Sequence, residues 1–144
     1  MIEYVDKLID TLTKEVGSNN LQDILSHLNI TVMPLPEEAY ILNSTGACYI
    51  RNDRFKVIWY SDGLKNKDFA ICHELAHMLI HDDGEDFCYY NPLENKLKQE
   101  KEADYFATKL LYSNFEIEEG IETYEQLANK LGIKEDFIKF IIEK

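Results

Sequence analysis

Apolar residues recur along the chain in two rhythms, and the switches between them divide it into three stretches. Ile2, Val5, Leu8, Ile9, Leu12 and Val16 follow one another at three- and four-residue steps, which puts them on one face of a helix. Gly17-Ser18-Asn19-Asn20 stops that pattern, and Leu21, Ile24, Leu25 and Leu28 begin a second, shorter helical stripe. The texture then changes. Segments 31–36, 39–42, 47–51 and 55–60 are short, rich in β-branched and aromatic residues and separated by turn formers, so strands are predicted there. Asn52-Asp53, between the last two, suits a tight hairpin.

Helical periodicity returns after Asn66. From Lys67 to His81 apolar residues (Phe69, Ala70, Ile71, Leu75, Met78, Leu79, Ile80) lie on nearly every side, which predicts a helix buried at the centre. Asp82-Asp83-Gly84 ends it, residues 84–95 read as a loop, and a further helix is expected from Leu97 to Tyr112. Two short helices, near 121–131 and 135–143, close the chain. Helices, a small antiparallel sheet and helices again make an α+β fold, expected as one domain over residues 1–144. Residues 121–144 are similar to a helix-turn-helix in the placing of Leu127, Ala128, Leu131, Gly132 and Ile133. They carry four lysines against five acids, and the second helix opens Lys134-Glu135-Asp136, where a DNA reader would present cations. They are read as a structural helical pair.

Composition narrows the partners. With 144 residues the chain can close one core, and its 45% apolar and 29% charged content is that of a globular domain. Fifteen basic against 27 acidic residues give a net charge of −12, which argues against nucleic acid and against an anionic membrane surface as main partner. No uncharged apolar run approaches the ~20 residues of a membrane span. Glu3 and Asp6 interrupt any basic-then-apolar leader. Cys48, Cys72 and Cys88 show no close metal-type spacing, so a reduced, cytoplasmic protein is expected, in which the sequon Asn43-Ser44-Thr45 has no meaning.

Chemistry concentrates in the central apolar helix, in His73-Glu74-Leu75-Ala76-His77. Residues i and i+4 share a helix face, so both imidazoles reach one cation, while Glu74 stands beside them as a base for water rather than as a ligand. Burying these groups without partners would cost several kcal/mol, about 2–7 for each polar group. A catalytic zinc needs a third protein ligand. His81 shares the face but lies beyond the reach of one ion centred between His73 and His77, and reads as a helix-end residue near the negative dipole end. His27 sits in a distant helix. In the next helix, Glu100 shares a face with Ala103, Asp104, Ala107 and Leu111, the small and apolar side suited to lie against the active-site helix. Glu102 points about 200° away, beside Lys98 and Lys109, where a solvated carboxylate is expected. Glu100 is therefore the expected third ligand, and Asp104 the acceptor that orients a ligating histidine.

Phe69-Ala-Ile-Cys-His-Glu-Leu-Ala-His-Met-Leu-Ile-His81, followed by Glu100-x-Glu-Ala-Asp-x-Phe-Ala107 and Leu110-Leu111, resembles the ImmA/IrrE family of zinc metallopeptidases. The resemblance implies a minimal zincin-like domain of gluzincin type, carried by phages, mobile elements and bacteria. It implies cytoplasmic action on repressor-type transcriptional regulators. Two positions depart from the pattern: Ala76 stands where a glycine is frequent, and Tyr112-Ser113-Asn114 replaces a proline after the second motif.

In the expected mechanism zinc acidifies its water towards ~7 and Glu74 takes the proton. Tyr89, Tyr90, Tyr105 or Tyr112 would stabilise the oxyanion. One strand, 55–60 or 47–51, would present an edge to an extended substrate. The basic and aromatic stretch from Arg51 to Tyr60 suits a protein partner. The alternative is a non-proteolytic, zinc-containing regulator that binds a repressor stoichiometrically and would have no use for Glu74. Cys72, on the apolar helix, is read as core, and Cys88 as a redox-sensitive thiol.

Overall fold

The structure, a computed structural model, describes residues 2–42, 46–82, 87–89 and 97–142, and of 87–89 the main chain alone. Its elements are α1 (Glu3–Val16), α2 (Leu21–His27), β1 (Thr31–Leu35), β2 (Ala47–Asn52), β3 (Lys56–Ser61) and α3 (Lys67–Ala76), which continues as a π-helical turn over His77–His81. There follow β4 (Phe87–Tyr89), α4 (Leu97–Tyr112), α5 (Tyr124–Leu131), a 3₁₀ turn (Glu135–Phe137) and α6 (Ile138–Ile142). The α+β class holds. The sequon at 43–45, Tyr90, and the side chains of Cys88 and Tyr89 lie outside the described residues.

Local chemistry sets the boundaries. Gly17 ends α1 with φ at 82°, a left-handed position where a side chain would strain the backbone. Asn20 caps α2 by accepting from the main-chain N–H groups of Gln22 and Asp23. Asn52 makes the β2–β3 hairpin, its Oδ1 accepting from Arg54 N at 2.8 Å and Phe55 N at 3.0 Å.

The sheet runs β1-β3-β2-β4. β2 pairs antiparallel with β3 and with β4, but β1 pairs parallel with β3, so the expected all-antiparallel sheet is mixed. A route through residues 36–46 and the whole of β2 separates β1 from β3, long enough for the crossover that parallel pairing requires. Segment 39–42 forms turns instead of a strand, and Tyr40, 96% exposed, has no surface to pack on. β4 arises within the expected loop. Among the described residues β1 and β4 are therefore the outer strands; of the two predicted edge strands β3 is interior, and β2 is paired with β4 over Ile50–Asn52.

The main core joins the sheet to the helices through Tyr49, Ile58, Ile71, Leu75 and Phe106, all buried. Ala76, Ala103 and Ala107 are fully buried and let α3 and α4 approach closely. α4 packs on α3, α1 and α6, and so has neighbours on three sides. Leu127, Ala128, Ile138 and Ile141 form a second, smaller cluster between α5 and α6. Asn66 joins the two regions. Its Oδ1 caps α3 by accepting from Phe69 N at 3.0 Å, while its Nδ2 donates to Leu131 O at 2.7 Å and Tyr112 OH at 2.6 Å. Among the described residues no helix is long and apolar enough to cross a membrane.

Candidate metal centre

α3 carries His73 and Glu74 through the densest part of the core, and His77 follows at its end; the three are 2%, 0% and 0% exposed. The four-residue step puts both imidazoles on the side facing α4, where Glu100 reaches across. His73 Nε2 lies 3.0 Å from Glu100 Oε2, His77 Nε2 lies 3.2 Å from Glu100 Oε1, and the two Nε2 atoms are 3.1 Å apart. Donors bonded at 2.0–2.1 Å to a tetrahedral ion stand about 3.3 Å from one another. Taking one oxygen from Glu100, the three donor atoms lie within 4.8 Å of one another, close enough to share one ion, and two imidazoles with one carboxylate suit zinc.

The outer nitrogens are held as well. His73 Nδ1 donates to Asp104 Oδ1 at 2.8 Å. His77 Nδ1 lies 2.7 Å from His81 Nδ1, and His81 Nε2 lies 3.3 Å from Glu102 Oε1. Burial alone would lower the pKa of His73, but the hydrogen bonds to Asp104 and Glu100 outweigh it and raise it to about 9. Burial dominates at the other two rings: His77 is lowered, and His81 is lowered to about 4 with help from the neighbouring His77. Burial pushes the Glu100 carboxyl up, yet the two histidines bring it well below the usual range. Burial raises Glu102.

Glu102 is the main departure from the sequence reading. It is 5% exposed, not solvated, because the side of α4 turned away from Glu100 meets further protein instead of water. His81, expected as a helix-end residue, is turned onto His77, with its Nδ1 against His77 Nδ1 and its Nε2 against Glu102. The run His73, His77, His81 at four-residue spacing, with Glu102 two places from Glu100, was the available signal for both. Arg51 is bound to Asp82, at the end of the π turn, through Nη2 at 2.6 Å from Oδ1, which fixes the exit of the active-site helix to β2.

The other candidates lie elsewhere. His27 pairs with Glu15 at 2.9 Å on the surface. Tyr105 donates to Asp6 Oδ1 at 2.8 Å, on the α1 side, and Tyr112 is bonded to Asn66. Lys56 donates to Leu28 O, so of the basic 51–60 stretch Arg51 and Lys56 have internal roles. Cys72 is fully buried, and burial pushes its thiol far up; the Cys48 thiol, also buried, is raised to about 11 by burial and by Glu74.

A cleft of about 380 Å³ opens beside His73, Glu100 and Asp104. Phe69, Phe137, Leu64 and Ile133 wall it, with Lys65 and Lys134 also in its lining. Two buried imidazoles, an adjacent buried carboxylate and a facing glutamate can hold a divalent ion and move a proton next to it. Among curated proteins no match is found. The family model of the IrrE N-terminal-like domain, a peptidase family, matches residues 26–142, which span β1 to α6 and every residue of the centre, and the chain belongs to that family.

Proposed function

We propose that the protein is a zinc-dependent metalloendopeptidase that cleaves a cytoplasmic repressor-type regulatory protein. The observation that carries the reading is the convergence of His73 Nε2, His77 Nε2 and a Glu100 oxygen, with Glu74 buried beside them, in a chain of a peptidase family. His73, His77 and Glu100 would hold the ion as its protein ligands. When bound, zinc supplies Lewis acidity, lowering the pKa of water towards ~7 and polarising the scissile carbonyl. Glu74 takes a proton on its carboxylate during attack and delivers it to the leaving amine nitrogen. Asp104 keeps the His73 proton on Nδ1, so that Nε2 stays a donor. β4, at the edge of the sheet, offers a main chain with which an extended substrate can pair.

The test is cleavage of a repressor encoded beside the protein, followed on a gel with added zinc. Glu74→Gln should lower cleavage about 10²- to 10⁴-fold, the ordinary contribution of a general base, with zinc content and repressor binding retained. Full regulatory activity in that variant would instead make the protein a stoichiometric binder.

A further inference from the structure

His73 is backed by a carboxylate directly, and His77 is backed by one at a single remove. A carboxylate accepts hydrogen bonds, so the hydrogen between Glu102 and His81 sits on His81 Nε2. With one hydrogen on its ring, His81 then has an acceptor at Nδ1, and the hydrogen between the two Nδ1 atoms belongs to His77. The lone pair of His77 is left on Nε2, the atom that faces His73 and Glu100.

Two features of the fold serve this chain of bonds. The first is spacing: His81 follows His77 at the same four-residue step by which His77 follows His73, and the π turn over His77–His81 keeps that contact, with ring centroids 4.8 Å apart in both pairs. The second feature is Glu102 itself. Its side chain is 6% exposed, and its Oε2 has no hydrogen-bond partner among the described residues, so as packing it is poor. Leucine would fill that space at lower desolvation cost; the carboxylate adds an acceptor aimed at His81.

We propose that His81 and Glu102 are positioning residues, a relay that fixes the tautomer and ring plane of His77 so that Nε2 is presented as a metal donor. The proposal rests on the reading of His73, His77 and Glu100 as ligands. The relay does for His77 what Asp104 does for His73, and it gives the two ligands carboxylate backing from opposite sides of α4.

The test uses the full chain and four variants: His81→Phe, His81→Asn, Glu102→Leu and Glu102→Gln. Zinc affinity is read by competition with a chromophoric chelator, ligand geometry by the visible spectrum of the cobalt(II) form, and folding by thermal unfolding without metal. His81→Phe and Glu102→Leu should weaken zinc about 10- to 100-fold and alter the cobalt spectrum. His81→Asn puts an amide oxygen near the place of Nδ1, and Glu102→Gln keeps an acceptor; both should recover most of the affinity and the native spectrum. Native affinity and spectrum in all four, or recovery by neither conservative variant, would overturn the relay. If His81→Phe does not fold, the Glu102 pair decides on the same terms. A wild-type chain that takes up neither zinc nor cobalt overturns the ligand reading beneath the relay, which separates the two failures.

Discussion

Around α3 and α4 the interior holds His73, Glu74, His77 and Glu102, each at 5% exposure or less, whereas the α5–α6 pair closes over Leu127, Ala128, Ile138 and Ile141 with no charged side chain buried between them among the described residues. The second arrangement is what apolar burial builds unaided. The first is not: several desolvated ionisable groups within one helix pair cost stability unless they are bonded to one another or to an ion. Stability selects the residues of the C-terminal pair, and chemistry selects those of the central one.

The largest break in this contrast comes from Glu100→Ala. It should abolish stoichiometric zinc binding, read by metal analysis after dialysis, and Glu102→Ala should weaken binding without abolishing it. Ile138→Ala acts on the other region: it should cost about 2–5 kcal/mol in denaturant unfolding, through the cavity it leaves, with unchanged zinc affinity in the folded protein. An altered affinity there would show that the two regions are not chemically separate.

A smaller effect follows from His73, whose pKa is raised to about 9 because Asp104 and Glu100 outweigh burial. Below that pH the zinc-free ring carries a proton that the metal must displace, so zinc affinity should climb about tenfold per pH unit from 7 towards 9 and then level off. Titration calorimetry at pH 7 in buffers of differing ionisation enthalpy should count one proton released from this ring. The same raised pKa stabilises the zinc-free fold fully below the ordinary histidine value, near 6.5, and that contribution is lost as pH rises through about 9. The smallest effect belongs to Thr123, which caps α5 in a reciprocal box with Gln126. Thr123→Ala should cost about 1 kcal/mol and leave zinc binding untouched.

The sequence made the helices and the core of the site readable because each rests on local periodicity. Leu97–Tyr112 falls where its pattern places it, and His73, Glu74, His77, Glu100 and Asp104 stand together where α3 and α4 face each other. What it concealed depends on long-range arrangement. The parallel β1–β3 pairing follows from a crossover that no strand announces. The burial of Glu102 depends on α4 having neighbours on three sides, where helical phase alone predicts one wet side. The π turn leaves no composition signal in His77-Met-Leu-Ile-His81, and the partner of His81 on its far side, Glu102, comes from another helix.

Asn66 gives the contrast its limit. A single side chain terminates the helix that bears His73 and grips the last carbonyl of α5, at Leu131. Cutting the chain before α5 would therefore not merely trim an independent appendage: it would strip one of the bonds that hold this asparagine in place and loosen the first turn of the helix that aims the ligands. The smaller region also walls the cleft beside His73 through Ile133 and Phe137, so this amide group is one of several ties, with the packing of α6 on α4, by which it steadies the centre.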